Sequence, residues 1–211
     1  TAKVDPTVKA AVEEVITSGV RYTLKAENRI DITYTMDEQG ELSDFDAKGF
    51  DKTSIHEISS YHGAQSGPGL EIGAGSRRAG FLQHNLPLTG DFEIELEMWV
   101  NVNTPSAVLC FTFAKKVGVL WGQSVCKPKS MRPYNKRSRP DKNLFGGERL
   151  VKFKWILKDG ELTIRANGRK TDVRRFKKGE LDTVKFGVMA KNIRFAITNL
   201  KIKGTVDPSK L

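Results

Sequence analysis

The sequence is poor in the residues that make covalent or metal-stabilised folds. Its 211 residues include two cysteines and three histidines, too few for a disulfide-rich scaffold and without the spacing of a zinc site. No apolar run approaches the roughly 18 residues of a membrane span. Hydrophobic residues still make up 38% of the chain. At this length that is enough to bury a sizeable core, so wholesale disorder is excluded.

Charge is distributed unevenly along the chain. The net charge is +10, but the two halves of the chain differ in sign. Residues 1–100 hold 9 basic and 17 acidic residues, whereas residues 101–211 hold 26 basic and 8 acidic residues. Such asymmetry indicates an anionic partner. The alternative is that the two halves form one domain and partly neutralise each other.

The N-terminal segment has the pattern of one amphipathic helix over residues 5–18. Asp5 can cap it, Pro6 suits its first turn, and Gly19 can end it. Its apolar residues recur at helical spacing, at Val8, Ala11, Val12, Val15 and Ile16. We interpret residues 1–29 as a helical extension or linker ahead of the main domain.

From residue 30 onward, apolar residues recur at every second position, which is the spacing of a strand and not of a helix. Alternation of apolar and polar residues predicts strands at 30–34, 92–98, 184–188 and 193–202, and the Asp-Gly and Asn-Gly pairs at 159–160 and 167–168 predict tight hairpin turns. Short strands with frequent turn signals predict an all-β, antiparallel β-sandwich. We place this domain at residues 30–204 and a tail at 205–211.

The two cysteines differ in their surroundings. Cys110 lies in the apolar run 107–113 and is predicted to be a buried small hydrophobe. Cys126 lies at the edge of a basic loop, and a disulfide between the two stays open.

Four sequence motifs carry a family resemblance. They are Leu-Ser-Asp-Phe at 42–45, Gly-Asp-Phe-Glu-Ile-Glu-Leu-Glu at 90–97, the Asp-Gly to Asn-Gly stretch at 158–169, and the terminal strand Phe-Ala-Ile-Thr-Asn-Leu-Lys-Ile-Lys-Gly at 195–204. Their order resembles the concanavalin A-like lectin and glucanase jelly rolls, in particular the LamG-like and 3-keto-disaccharide-hydrolase-type domains of bacteria. The resemblance implies the fold more specifically than the function, because this fold hosts lectins, glycosidases and interaction modules.

The strand at 93–97 offers a candidate sugar site. Glu93, Glu95 and Glu97 share one face of a strand, and crowded carboxylates can divide acid and nucleophile roles. The pattern is similar to the catalytic strand of laminarinase-type glycosidases, which implies Glu93 and Glu97 as catalytic residues. The alternative, which we favour, is a solvent-facing strand of a non-catalytic domain.

Aromatic residues could complete a sugar groove. By its parity Trp99 lies on the same strand face as the glutamates, and the ligand-binding candidates are Glu95, Trp99, Trp121 and Tyr134. Core packing is the alternative for Trp99 and Trp121. Trp155, among apolar neighbours, is predicted to lie in the core.

A basic, proline-rich loop follows at residues 127–142. It holds seven basic residues, three prolines and one acidic residue, so repulsion and proline keep it extended. The alternatives are a solvated insertion and an anion-binding loop, with these candidate residues: Lys127, Lys129, Arg132, Lys136, Arg137 and Arg139.

These observations lead to one expected function and two alternatives. We expect a non-catalytic module that binds carbohydrate or an anionic polymer, with an extracellular or cell-envelope location slightly favoured. One alternative is a glycoside-processing enzyme. The other is a structural interaction module that docks an anionic partner, such as another protein or its own copy, through its basic loop. Nucleic acid is a less favoured partner. We expect no cofactor and no metal. Calcium is the ion that this fold leaves open, with Asp44, Asp46 and Asp51 as candidate ligands.

Overall fold

The computed structural model describes residues 4–36, 38–49, 55–58, 69–74, 80–101, 108–114, 117–122, 149–177, 179–191 and 193–211. Within these ranges, one helix, α1, and fourteen strands follow in chain order: α1 Pro6–Val15, β1 Tyr22–Leu24, β2 Arg29–Tyr34, β3 Phe45–Lys48, β4 Ile55–Ile58, β5 Gly69–Ala74, β6 Gly80–His84, β7 Leu88–Asn101, β8 Val108–Ala114, β9 Val117–Gly122, β10 Arg149–Lys158, β11 Glu161–Ala166, β12 Arg169–Arg175, β13 Gly187–Lys191 and β14 Ile193–Val206. Short 3-10 turns lie at Ala26–Asn28, Gln39–Asp44 and Pro208–Lys210.

The larger sheet is built around two long central strands, β7 and β14. It has nine antiparallel strands in the order β1-β2-β14-β7-β10-β11-β12, with β5 also on β14 and β4 on β5. Each central strand has 14 residues. Because β14 is so long, one of its sides pairs with β5 along its first half and with β2 along its second half.

The smaller sheet has five strands in the order β3-β6-β13-β8-β9 and packs on the first. The core between the sheets is rich in aromatic rings. The Phe111 ring lies 4.6 Å from Trp155 and 4.9 Å from Phe153, and Phe186 lies 5.4 Å from Trp155. Trp155 is fully buried, as its sequence context predicts. These contacts confirm the expected antiparallel β-sandwich.

Two hairpin turns have the backbone that their sequences predict. Asp159 and Gly160 have φ of 50° and 74°, and Asn167 and Gly168 have φ of 48° and 78°. Positive φ at both central residues defines the type I′ turn, which matches the twist of the flanking strands. The turns therefore fix how β10, β11 and β12 pair with one another.

Helix α1 packs against the sandwich through the apolar face that its spacing predicts. The Asp5 carboxylate accepts the amide proton of Thr7 at 2.8 Å and caps the helix. Val8, Val12 and Ile16 are buried in the main hydrophobic core. Among the described residues, no helix is long and apolar enough to cross a membrane.

A buried polar cluster ties the segment after α1 to the core. Asp44 is fully buried and accepts the amide protons of Thr17 at 2.7 Å and Ser18 at 2.9 Å. The Tyr34 hydroxyl donates to Asp44 Oδ2 at 2.9 Å and contacts His84 Nε2 at 2.6 Å. Hydrogen bonds to a buried carboxylate offset its loss of water, so this cluster anchors the N-terminal segment.

Cys110 lies in the core strand β8 as a thiol. It is fully buried, and burial raises the pKa of its thiol to about 12. The prediction of a buried small hydrophobe is confirmed. Cys126 lies outside the described residues.

Candidate functional site

The three glutamates predicted as a site project from the outer face of the larger sheet. Their even-numbered neighbours on β7, from Phe92 to Met98, are 0–3% exposed and face the core. Strand alternation therefore turns Glu93, Glu95 and Glu97 outward. Their side chains are 32%, 40% and 32% exposed, respectively, so each is open to solvent on one side.

Lysines of the neighbouring strand β10 pair with these carboxylates. The register places Lys152 opposite Glu97 and Lys154 opposite Glu95. Lys152 Nζ lies 2.6 Å from Glu97 Oε1, and Lys154 Nζ lies 2.8 Å from Glu93 Oε1 and 2.7 Å from Glu95 Oε1. One lysine thus bridges two glutamates and holds them in a defined arrangement.

The other flank of β7 is also basic. Strand β14 places Lys201 opposite Glu95 and Lys203 opposite Glu93, and both lysines are exposed. Lys203 Nζ lies 3.5 Å from Asp31 Oδ2 on β2. An acidic column thus lies between two basic columns. We call this surface the charged face: Glu93, Glu95, Glu97, Lys152, Lys154, Lys201 and Lys203.

The lysines favour the ionised form of the central carboxylate. The hydrogen bond from Lys154 lowers the pKa of Glu95, and Lys201 and Lys203 act in the same direction. In turn the hydrogen bonds to Glu93 and Glu95 raise the pKa of Lys154. A general acid must instead hold its proton near the working pH, so Glu95 is suited to accept hydrogen bonds and not to donate a proton.

The catalytic roles of Glu93 and Glu97 stay a prediction with a direct test. If they catalyse glycoside hydrolysis, the Glu93→Gln variant loses reducing-sugar release from a β-glucan that the parent chain cleaves. Unchanged turnover in this variant would remove Glu93 from catalysis.

Trp99 closes one end of the charged face but offers little ring surface. The register places it between Ala196 on β14 and Leu150 on β10, and it packs with them into a small apolar cluster. The side chain is 9% exposed. Trp99 thus packs against its neighbours on β10 and β14, and its role in ligand binding stays a prediction.

The remaining predicted binding residues lie beyond what the structure describes. Tyr134 and the basic loop at 127–142 are outside the described residues, and for Trp121 the description covers the backbone of β9 and not the side chain. The proposed anion-binding and assembly roles of that loop stay predictions. Loss of salt-dependent binding when Lys136, Arg137 and Arg139 are replaced by Ala would support the first. Salt-sensitive self-association in light scattering would support the second.

The two candidate calcium ligands that the structure describes, Asp44 and Asp46, have protein partners. The Asp44 oxygens accept hydrogen bonds from the segment after α1 and from Tyr34, and Asp46 pairs with Lys48. Asp51 lies outside the described residues. Within the described part of the chain, no group of three His, Cys, Asp or Glu side chains is placed to hold a metal ion.

The lysine columns are the part of the site that sequence reasoning missed. The signal was present in β10, where Lys152 and Lys154 alternate with Val151, Phe153 and Trp155. This alternation predicts an outward basic column. Whether this basic column lies beside the glutamates depends on the register between β7 and β10, which are more than fifty residues apart in the sequence. Local sequence patterns do not determine that register.

Comparison with known proteins places the fold among lectin-like sandwiches. The carbohydrate recognition domain of Emp47p has a TM-score of 0.55 and 10% identity, over 87% of this chain and 97% of that domain. A Bacillus subtilis protein of unknown function with a galectin-like fold has a TM-score of 0.53 and 8% identity, over 82% and 96%. A legume lectin-like domain from Entamoeba histolytica has a TM-score of 0.52 and 10% identity, over 80% and 93%.

These likenesses show the fold. No protein-family model and no curated protein matches the sequence. The chain is an antiparallel β-sandwich similar to galectin-like and legume lectin-like domains, consistent with the concanavalin A-like architecture that its motifs resemble. The finer likeness to LamG-like bacterial domains stays a prediction.

Proposed function

We propose that this chain is a non-catalytic carbohydrate-binding module that uses the charged face of its larger sheet. The observation that carries the proposal is the ion-paired array of Glu93, Glu95 and Glu97 with Lys152 and Lys154, in which each glutamate is still about a third exposed. Support also comes from structural neighbours named as carbohydrate recognition domains, such as that of Emp47p.

The chemistry of the charged face suits sugar hydroxyls. A hydroxyl both donates and accepts hydrogen bonds, and carboxylates and ammonium groups side by side offer both partners. Hydrogen bonds to ionised groups are shorter and roughly twice as strong as neutral ones. Because Lys154 already holds Glu93 and Glu95, little side-chain freedom is lost when a ligand binds, which favours affinity.

A glycan array with the intact chain tests the proposal. We expect binding to a subset of neutral glycans, and an affinity lowered by about tenfold, or about 1.4 kcal/mol, in the Glu95→Gln variant. Glutamine keeps the shape of the side chain and removes the charged acceptor. The matched control is Glu161→Gln, which removes a carboxylate paired with Arg175 at the edge of the same sheet.

Two outcomes contradict the proposal. One is that the intact chain binds no glycan on the array. The other is that Glu95→Gln and Glu161→Gln bind as the parent does, which would remove the charged face from recognition.

A further inference from the structure

One row of residues crosses five strands of the larger sheet with an unusual order of charges. The register places Lys201 opposite Glu95, Glu95 opposite Lys154, Lys154 opposite Arg165, and Arg165 opposite Lys170. The first three members alternate in sign, and the last three are all basic. We call Lys154, Arg165 and Lys170 the basic row.

Among the described residues, the outer two members of the basic row, Arg165 and Lys170, have no acidic partner. Lys154 is matched by Glu93 and Glu95. Arg165 and Lys170 are exposed, and within the described part of the chain neither has an ion pair. Their surroundings are basic as well, since residues 149–177 hold ten Lys and Arg against three Asp and Glu.

Arg165 and Lys170 repel each other when no ligand is bound, because they lie opposite each other on neighbouring strands. Neighbouring strands lie about 4.8 Å apart, and like charges directly opposite each other on two strands are destabilising. An anion bound between them would remove this repulsion and add two charge-assisted hydrogen bonds. The uncompensated pair therefore indicates a surface adapted to an anionic ligand.

The backbone is irregular at the same place. The register between β11 and β12 shifts between Ile164 and Arg165, which marks a β-bulge or irregularity just before the Asn167-Gly168 turn. Bulges increase the local twist, re-aim side chains, and are over-represented next to functional sites. Charge and backbone geometry thus single out the same end of the β11–β12 hairpin.

We propose that Arg165 and Lys170 bind a carboxylate or sulfate group of an acidic glycan. The Arg165 guanidinium can take such a group with two parallel hydrogen bonds, and Lys170 adds a second positive charge. The inference rests on the proposed function, because the hydroxyls of the same glycan would contact the neighbouring charged face. It names the ligand class as acidic polysaccharide.

The arrangement favours an acidic glycan over a nucleic acid. The Glu93–Glu95–Glu97 column adjoins the basic row, and the phosphodiester backbone of a DNA strand has no hydroxyl group that could donate to these carboxylates. A glycan instead offers hydroxyl donors to the glutamates and an anion to the basic row. Binding of single strands also relies on aromatic stacking. On the described part of this face, Trp99 is buried.

Direct binding to defined polymers tests the inference. The intact chain is titrated with dextran sulfate, polygalacturonate, unsubstituted dextran and an oligodeoxythymidine, at low and high salt. We expect dextran sulfate or polygalacturonate to bind, more weakly as salt rises. In the double variant Arg165→Gln/Lys170→Gln the affinity should fall by about tenfold or more, equal to about 1.4 kcal/mol.

A matched variant controls for net charge. Lys158→Gln/Lys177→Gln removes two exposed positive charges near the opposite end of the same hairpins, and its affinity should stay within about twofold of the parent. The Arg165→Gln/Lys170→Gln variant should unfold at a temperature no lower than the parent, because it loses a repulsive pair. A lost interaction then reflects the site and not the fold.

The outcomes separate this inference from the proposed function. It is overturned if neither acidic polymer binds, if both double variants lose affinity equally, or if oligodeoxythymidine binds as tightly through the same two residues. In each of these cases Glu95-dependent binding of neutral glycans on the array is unaffected, and the proposed function stands. Loss of neutral glycan binding with retained Arg165-dependent binding would instead contradict the proposed function and leave the anion site at Arg165 and Lys170 in place.

Discussion

The buried histidine of the core makes the stability of this protein depend on pH. Leu86 donates its amide proton to His84 Nδ1 at 3.1 Å, so the ring proton must lie on Nε2 and point to the Tyr34 hydroxyl at 2.6 Å. A second ring proton on Nδ1 would face the Leu86 N–H. The folded protein thus accepts the neutral ring and opposes the charged one.

The size of the effect follows from the pKa of this histidine. Burial lowers the pKa of His84 from 6.5 to about 4, with Lys185 acting in the same direction and Asp44 against it. As the pH falls, His84 binds a proton in the unfolded state before it does so in the folded state. The stabilising contribution of the neutral ring is therefore fully present above pH 6.5 and is lost as the pH falls toward 4. Between about pH 7.5 and about pH 4.5 the loss from His84 is about 2.5 kcal/mol, at about 1.36 kcal/mol per pKa unit.

Urea denaturation of the parent and of His84→Gln at both pH values measures this contribution. Glutamine does not titrate, so the variant should lose about 2.5 kcal/mol less than the parent between the two pH values, although it is less stable at neutral pH. Comparing the two pH dependences cancels the carboxylates and the other two histidines, which are common to both proteins.

An equal pH dependence of the two proteins would contradict this prediction. If the free energy of unfolding falls equally with pH in the parent and in His84→Gln, the histidine is not held neutral by the fold. The hydrogen bonds to Leu86 and Tyr34 would then not determine its protonation.

Three further predictions concern single contacts, each measured by urea denaturation. Asp44→Asn should lower the free energy of unfolding by about 3 kcal/mol, because amide protons would face buried donors. Asp46→Asn, at a half-exposed carboxylate, should change it by less than about 0.5 kcal/mol, and equal effects would contradict the anchoring role of Asp44. Gly187→Ala should cost about 2 kcal/mol, since its Cβ would lie 2.7 Å from Thr112 Oγ1 and 2.9 Å from a carbonyl oxygen of β6. Gly40→Ala, with nothing within 4 Å, should be near neutral, and a similar cost at both glycines would refute the steric argument. Thr112→Val should stabilise the protein by about 1 kcal/mol, because the buried hydroxyl has no hydrogen-bond partner in the described structure; a destabilised variant would show that the hydroxyl is satisfied.

Much of the fold was predictable from local patterns. The period of two in β7 determines which side chains face the core, and the structure buries the residues so identified, such as Ile94 and Leu96. The two hairpin turns were predictable because Asp-Gly and Asn-Gly adopt positive φ at low cost. The buried face of α1 follows from its helical spacing in the same way.

The candidate site was predictable in part. Glu93, Glu95 and Glu97 project outward as their spacing predicts, because strand alternation is local. Their lysine partners could not be derived, since β10 begins at Arg149 and meets β7 only through long-range pairing. The alternation of side chains along β7 likewise predicts that Trp99 lies on the outer face, as observed. It does not predict that Trp99 is buried, because its burial depends on Ala196 and Leu150 from two other strands.

Local sequence is sufficient for the class of fold, the outward column of glutamates and the tight turns, because each depends on neighbouring residues and backbone preference. Which charges meet depends on long-range strand pairing. It brought Lys154 to Glu95, left Arg165 beside Lys170, and joined Asp44 to His84 through Tyr34. The physical reason is that interaction energies between side chains depend on distances of a few ångströms, and the register of distant strands sets those distances.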